Sequence, residues 1–340
     1  MPKPIIVDCT GERLTAEERA LYRDLNPYGF ILFGRHTSTP EQVRALVADL
    51  WEAVQRPASV FIDQEGGRVA RLGAPHWRRP PAAWCFAELA ARDPEAAVRA
   101  VWLNSRLIAA DLTALGITVD CLPVLDLRLP GAHDIIGNRA YGATPEAVVT
   151  LARAAAEGLM AGGVLPVAKH IPGHGRAESD SHHELPVVTA SLDELRRTDF
   201  RPFAELNRLP IAMTAHITYT AIDPDRPATL SPRVINDIIR GEIGFRGVLV
   251  SDDLTMKALK GALPDLALET MAAGCDLALL CNASFEDRRA VLETVDDISA
   301  LSLKAINRYM VPRPAARCAV AELTAELDDL MADVPGYEVA

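Results

Sequence analysis

Five of the eight histidines lie between His170 and His216, and the densest run is Lys169-His-Ile-Pro-Gly-His-Gly175 followed by Glu178-Ser-Asp-Ser-His-His-Glu184. Imidazoles in that density suit proton transfer or metal binding near neutral pH. The glycines and proline around His174 predict an irregular loop rather than a helix. Asp180 and His182 are two residues apart, close enough on a loop for the carboxylate to orient one ring nitrogen and stabilise the imidazolium. Such a pair is a competent general acid and base. His183 offers a second proton donor, although the Asp-Ser-His spacing favours His182. A solvated polar loop would explain one such histidine, but it leaves Lys169-His170 upstream unexplained.

Two further segments carry acids and cations. Gly247-Val-Leu-Val-Ser-Asp-Asp-Leu-Thr-Met256 reads as a buried strand running into two consecutive carboxylates. One of them is expected to face a site as nucleophile, base or metal ligand, and the other to cap the following helix. In Phe61-Ile-Asp-Gln-Glu-Gly-Gly-Arg-Val-Ala-Arg-Leu72, Asp63 ends a strand, Gly66-Gly67 permits a sharp turn, and Arg68 and Arg71 follow. A carboxylate with a guanidinium can grip vicinal hydroxyls, while for Arg68 a structural salt bridge is an equal alternative. Arg139, in Gly137-Asn-Arg-Ala-Tyr-Gly142, carries the same ambiguity.

These residues need elements to hold them. Eight apolar runs recur, at 5–8, 29–33, 60–63, 119–126, 165–170, 211–216, 248–252 and 277–281. Helical periodicity separates them, as at 15–25, 40–54, 94–115, 145–161, 191–206 and 231–240. This alternation predicts an α/β fold, a single (β/α)8 TIM-type barrel with long βα loops at 66–93, 127–144 and 171–190. The whole chain reads as one catalytic domain, with the barrel at about 4–310 and a C-terminal extension at about 311–340 containing a helix at 321–331. That extension can pack on the barrel or support a dimer, so monomer and homodimer both stand. Asp8, Asp63, Asp126, Lys169-His170, His216, Asp252 and Asn282 all fall at strand C-termini, which in a barrel places them around one mouth.

Composition narrows the function. The 340 residues carry 46 acidic and 35 basic side chains, a formal charge of −11 that disfavours nucleic acid and anionic membrane surfaces. No apolar run reaches the ~20 residues of a membrane helix. The first residues lack the apolar core of a secretory signal, so a cytoplasmic enzyme is expected. Six scattered cysteines without a CxxC pair fit reduced, mostly buried thiols.

Taken together, the Lys169–Gly175 run with Asp180-Ser-His182, Asp63-Gln-Glu-Gly-Gly-Arg, Gly137-Asn-Arg139 and the Gly247–Leu254 strand resemble the bacterial cytoplasmic β-N-acetylglucosaminidases of glycoside hydrolase family 3. The segment Ile238-Ile-Arg-Gly-Glu242 also resembles the stretch leading into that family's nucleophile strand, and the likeness runs from the first strand to about Asn282. The resemblance implies that Asp252 is the nucleophile of a retaining reaction, that His182 is the acid/base and that Asp180 tunes it. It further implies that Asp63, Arg71, Arg139, Lys169 and His170 hold the non-reducing N-acetylglucosamine. His216 and Met256 are further candidate contacts. It implies no metal or organic cofactor. The substrates it implies are peptidoglycan fragments, N-acetylglucosamine on 1,6-anhydro-N-acetylmuramic acid with or without peptide. Two other readings stand beside it. One is a metal-dependent barrel hydrolase with ligands among His170, His174, Asp180, His182, His216 and Asp252. The other is a sugar-binding barrel without catalysis.

Overall fold

The computed structural model describes residues 1–177 and 184–337. Asp180, His182 and His183 therefore lie outside the described residues. Eight parallel strands close into a barrel: β1 (Lys3–Val7), β2 (Pro27–Leu32), β3 (Ser59–Ile62), β4 (Val119–Asp120), β5 (Leu165–Ile171), β6 (Ile211–Thr214), β7 (Val248–Asp253) and β8 (Leu277–Leu280). Each strand pairs in parallel with its sequence neighbours, and β8 returns to β1 through Ile5–Ala278, Ile6–Leu279 and Val7–Leu280. The expected TIM-type barrel is the fold.

Because side chains alternate along a strand, each strand feeds two cores. Ile6, Ile31, Phe61, Val119, Val167, Met213, Val250 and Leu279 fill the barrel interior. Ile5, Val7, Phe30, Leu32, Val60 and Ile62 instead face the surrounding helices. Both faces are buried, which is why the strands read as continuous Val/Ile/Leu runs. The N-terminal mouth is closed by the segment around helix Ala300–Asn307. Its Ile306, with Ile298 and Met310, joins the interior cluster, and Asn307 accepts a 3.1 Å bond from the Tyr28 hydroxyl.

The helices start where their sequences say. Three share one device: Thr39-Pro-Glu, Asp93-Pro-Glu and Thr144-Pro-Glu each place a capping side chain, then a proline whose missing N–H costs nothing, then an acid beside the helix N-terminus. Thr15 and Glu18 form a reciprocal capping box ahead of Ala16–Leu25.

In three places the structure refines the reading from sequence. The fourth strand is regular only over Val119–Asp120, because Pro123 has no N–H to give the ladder; beyond it only the Val124–Lys169 bridge remains. The segment expected as one helix over 191–206 is two, Leu192–Arg197 and Phe200–Glu205. They part where the side chains of Thr198 and Asp199 accept bonds from Arg176. The extension forms helix Val320–Met331, which packs on helix Pro94–Ala114 through a two-pronged Arg99–Glu326 pair at 2.7 and 2.8 Å. No helix among the described residues is long and apolar enough to cross a membrane.

Candidate active site

The C-terminal mouth of the barrel holds a cavity of about 410 Å³. Asp63, Arg71, Arg139, Lys169, His170, Asp252 and Met256, all expected from sequence, line it. Phe33, Glu65, His174 and Asn282 line it as well.

Its charged wall begins at β3. Asp63 leaves the strand and accepts from Lys169 Nζ at 3.0 Å and Arg71 Nη2 at 2.9 Å. Two residues on, on the same side of the chain, Glu65 accepts from Lys169 Nζ at 2.6 Å and takes both prongs of Arg139 at 2.8 Å. Lys169 thus sits between two carboxylates, each of which also holds an arginine. Burial alone would raise the pKa of both acids, but these cations overcome it: Asp63 is held well below the carboxylate range and Glu65 down to about 2. The same carboxylates overcome desolvation at Lys169 and raise its pKa, so it stays an ammonium.

The turn that allows this geometry is local. Gly66 has φ +103°, and a Cβ there would lie 2.2 Å from the Pro81 carbonyl oxygen. Gln64 acts as a backbone mimic. Its Oε1 accepts from the N–H groups of Arg71 and Leu72, and its Nε2 donates to the Leu72 carbonyl, bringing Arg71 back over Asp63. Arg68, left open from sequence, donates to the carbonyls of Asp134, Ile135 and Ile136 and so ties down the loop after β4.

Asp126 organises the opposite wall. It accepts from the His170 and His174 N–H groups and from His170 Nδ1 at 2.6 Å. A carboxylate only accepts, so the proton on Nδ1 is fixed and Nε2 is the other nitrogen of the ring. Despite burial, His170 and these donors hold Asp126 low. Burial, followed by the neighbouring His170, pushes His174 down to about 4, leaving it a neutral imidazole at pH 7. Gly175 is required by close approach, since a Cβ there would lie 2.3 Å from the Leu127 carbonyl oxygen.

The two consecutive carboxylates of β7 divide their work. Asp253 accepts from the Thr255 N–H and hydroxyl and from the Cys281 N–H, so it holds the turn and ties β7 to β8. Burial pushes it up to about 6. Asp252 takes one bond among the described residues, from the Asp253 N–H, and lines the cavity. Burial opposes its charge, but His216 and His170, then that N–H and Lys169, outweigh it and hold Asp252 below the ordinary range. It is a ready anion facing the cavity.

His216 corrects an expectation. It is fully buried, does not line the cavity, and spends Nδ1 on the Thr229 hydroxyl at 2.7 Å and Nε2 on the Asp253 carbonyl at 2.9 Å. It therefore acts on Asp252 through charge and position rather than as a substrate contact. Among the described residues, no group of three or more His, Cys, Asp or Glu side chains is arranged to hold a metal.

Glu65, Asp126 and Asn282 join the site without having been assigned a part in it from sequence. Glu65 was signalled by its two-residue spacing from Asp63, and the other two by their strand-end positions. Asn282 donates its N–H to Asp8 at 2.6 Å and accepts from Arg35 at 2.7 Å, while Arg35 and Arg71 flank the Phe33 ring at 5.0 and 5.4 Å. The described residues on either side of 178–183 are tied to the barrel. Arg176 pairs with Asp199 and Glu194 at 2.7 Å, the Tyr219 hydroxyl donates to the Gly173 carbonyl, and Val187–Val188 pairs in parallel with Thr218–Tyr219.

Fold and site together define a barrel enzyme whose chemistry lies among the strand ends at the C-terminal mouth. Residues 6–311 match the glycosyl hydrolase family 3 N terminal domain. The chain is 42% identical over 283 residues to a beta-hexosaminidase of Alkalilimnicola ehrlichii, covering 82% of this chain and 80% of that one. It is 39% identical over 285 residues to a beta-hexosaminidase of Bordetella avium, covering 83% and 81%. Its fold superposes on NagZ from Neisseria gonorrhoeae, solved in complex with N-trifluoroacetyl-D-glucosamine, with a TM-score of 0.87 and 33% identity over 97% of this chain and 98% of that one. The chain belongs to glycosyl hydrolase family 3, as a glycoside hydrolase of the β-hexosaminidase class.

Proposed function

We propose that this enzyme removes terminal, non-reducing β-linked N-acetylglucosamine from peptidoglycan fragments, with retention of configuration, and that the chain acts as one catalytic domain. The observation that carries this reading is the pairing of an ionised Asp252 with the Arg71–Asp63–Lys169–Glu65–Arg139 array in one cavity. Such an array offers charge-assisted bonds to several hydroxyls of one sugar, and Asp252 is a carboxylate with little else to do. The complex of the Neisseria gonorrhoeae relative with an N-acylated glucosamine supports an N-acetylhexosamine as the bound sugar.

In the first step an Asp252 oxygen attacks C1 as the glycosidic bond breaks, and the His182 imidazolium gives its proton to the leaving oxygen. In the second, water attacks C1, His182 takes its proton, and the Asp252 carboxylate departs. A retaining pair ordinarily uses two carboxyls about 5 Å apart. Asp253 is committed to its turn, so the acid must come from elsewhere, and an imidazole with an ordinary pKa near 6.5 can serve both steps at neutral pH. Asp180 would support its charged form.

The purified protein should release p-nitrophenol from p-nitrophenyl β-N-acetylglucosaminide equally with and without EDTA, and leave the β-glucoside largely untouched. Loss of activity with EDTA would move the histidines to a metal site, and inactivity on both sugars would favour a binding barrel. His182→Ala should lower kcat by about 10²–10⁴ on substrates with poor leaving groups and much less on p-nitrophenyl glycosides, which need little acid assistance. Equal losses on both would remove His182 from the acid role.

A further inference from the structure

Beneath the charged wall lies a carboxyl that the proposed mechanism does not use. Asp120 ends β4 and is fully buried. Its Oδ1 accepts from the backbone N–H of Gln64 at 2.9 Å, while Oδ2 has no hydrogen-bond partner among the described residues. Asp63 and Glu65 differ sharply from it, since each holds two cationic donors. A buried carboxylate with one neutral donor is costly, whereas the uncharged acid at the same place is tolerable. Position matters as much as burial. Gln64 is the residue between Asp63 and Glu65, so Asp120 fastens the peptide from which both clamp carboxylates project. Among the described residues, the titratable groups around it are Lys169 from β5, Asp63 and Glu65 from the segment after β3, Tyr141 from the loop after β4, and Cys121 beside it on its own strand.

We infer that Asp120, as the uncharged acid, is a positioning residue for sugar binding, fastening Gln64 so that Asp63 and Glu65 share Lys169, and that its ionisation disables the clamp. A third anion below Lys169 would draw the ammonium away from its two partners and repel both. Burial pushes Asp120 up to about 8, with only the Gln64 N–H and Lys169 opposing. The uncharged form therefore prevails at neutral pH and gives way on the alkaline side.

The inference rests on the function proposed above, so the wild-type assay comes first: no turnover of p-nitrophenyl β-N-acetylglucosaminide would sink that reading itself. With an active wild type, Asp120→Ala should raise KM at pH 7 by about tenfold or more, with a smaller change in kcat, because the Gln64 N–H loses its acceptor. Asp120→Asn is uncharged at every pH and still accepts from Gln64, so it should restore KM to within about threefold of wild type. The decisive readout is the pH profile. Wild-type KM should climb as pH rises through about 8, and that of Asp120→Asn should stay flat over the same range. Parallel profiles, or an Asp120→Asn variant as impaired at pH 7 as Asp120→Ala, would overturn the inference. If neither variant folds, infrared spectra of the wild type decide: the carbonyl stretch of a buried, protonated carboxyl at pH 7 that fades above pH 8 is expected, and its absence at pH 7 would overturn it.

Discussion

Asp252→Ala should lower kcat/KM for p-nitrophenyl β-N-acetylglucosaminide by about 10⁴-fold or more, equivalent to about 5.5 kcal/mol of transition-state stabilisation. The fold should survive, because among the described residues the only hydrogen bond Asp252 takes is from the neighbouring Asp253 N–H. Binding should survive too. The groups proposed to grip the sugar hydroxyls lie outside β7, so competitive inhibition by N-acetylglucosamine should stay within about tenfold of wild type. The sharper check is chemical rescue. Azide can enter the space the carboxylate leaves and attack C1 from the same face, so product analysis should show the α-glycosyl azide and partial recovery of p-nitrophenol release. A variant keeping more than a tenth of wild-type activity, or yielding β-azide, would remove Asp252 from the nucleophile's role.

Lys169→Met is the second large effect. Methionine keeps much of the apolar stem but deletes the ammonium shared by Asp63 and Glu65 at 3.0 and 2.6 Å, leaving a half-buried and a buried carboxylate with one arginine each. Breaking a buried ionic set by removing one partner costs about 3–5 kcal/mol, and here the same ion also lines the cavity. KM should rise by about 100-fold or more while kcat falls less. Stability should also change its pH dependence. In the wild type both acids have depressed pKa values in the folded state, so their stabilisation is complete above the ordinary carboxylate range and is lost only as pH falls, toward about 2 for Glu65. Without Lys169 the depression shrinks, so the variant has less of this stabilisation to lose and its stability should fall less as pH drops. Thermal unfolding of both proteins between pH 3 and 8 tests this: the gap between them should be widest near neutrality and narrow in acid. A constant gap would mean that Lys169 acts by packing rather than by charge.

Asp252 and Lys169 are both residues that the sequence alone singles out. The strands are legible there because a parallel barrel buries both faces of each strand, leaving uninterrupted Val/Ile/Leu runs such as 5–7 and 248–250, and the helices are legible because Thr-Pro-Glu and Asp-Pro-Glu starts are chemically self-contained. Where these signals stop, polar residues begin, and so Asp63, Lys169-His170 and Asp252 fall at one mouth from the linear order alone. Placing them requires only near neighbours in the chain.

What the linear order could not decide is which of these groups meet. Asp252 and Asp253 are equivalent as letters. The close approach of Thr255 and Cys281 turns one into a structural tie and leaves the other facing the cavity. His216 stands at a strand end like His170, yet the Thr229 hydroxyl and the Asp253 carbonyl claim both its nitrogens, while Asp126 turns His170 toward the pocket. Glu65 gained its role because the Gly66 turn brings it against Lys169 and Arg139, which lie 104 and 74 residues further along the chain. Local periodicity determines where strands end. Charge partners, burial and the pKa values that follow are sums over atoms from several strands, and only the closed barrel brings those atoms within reach of one another.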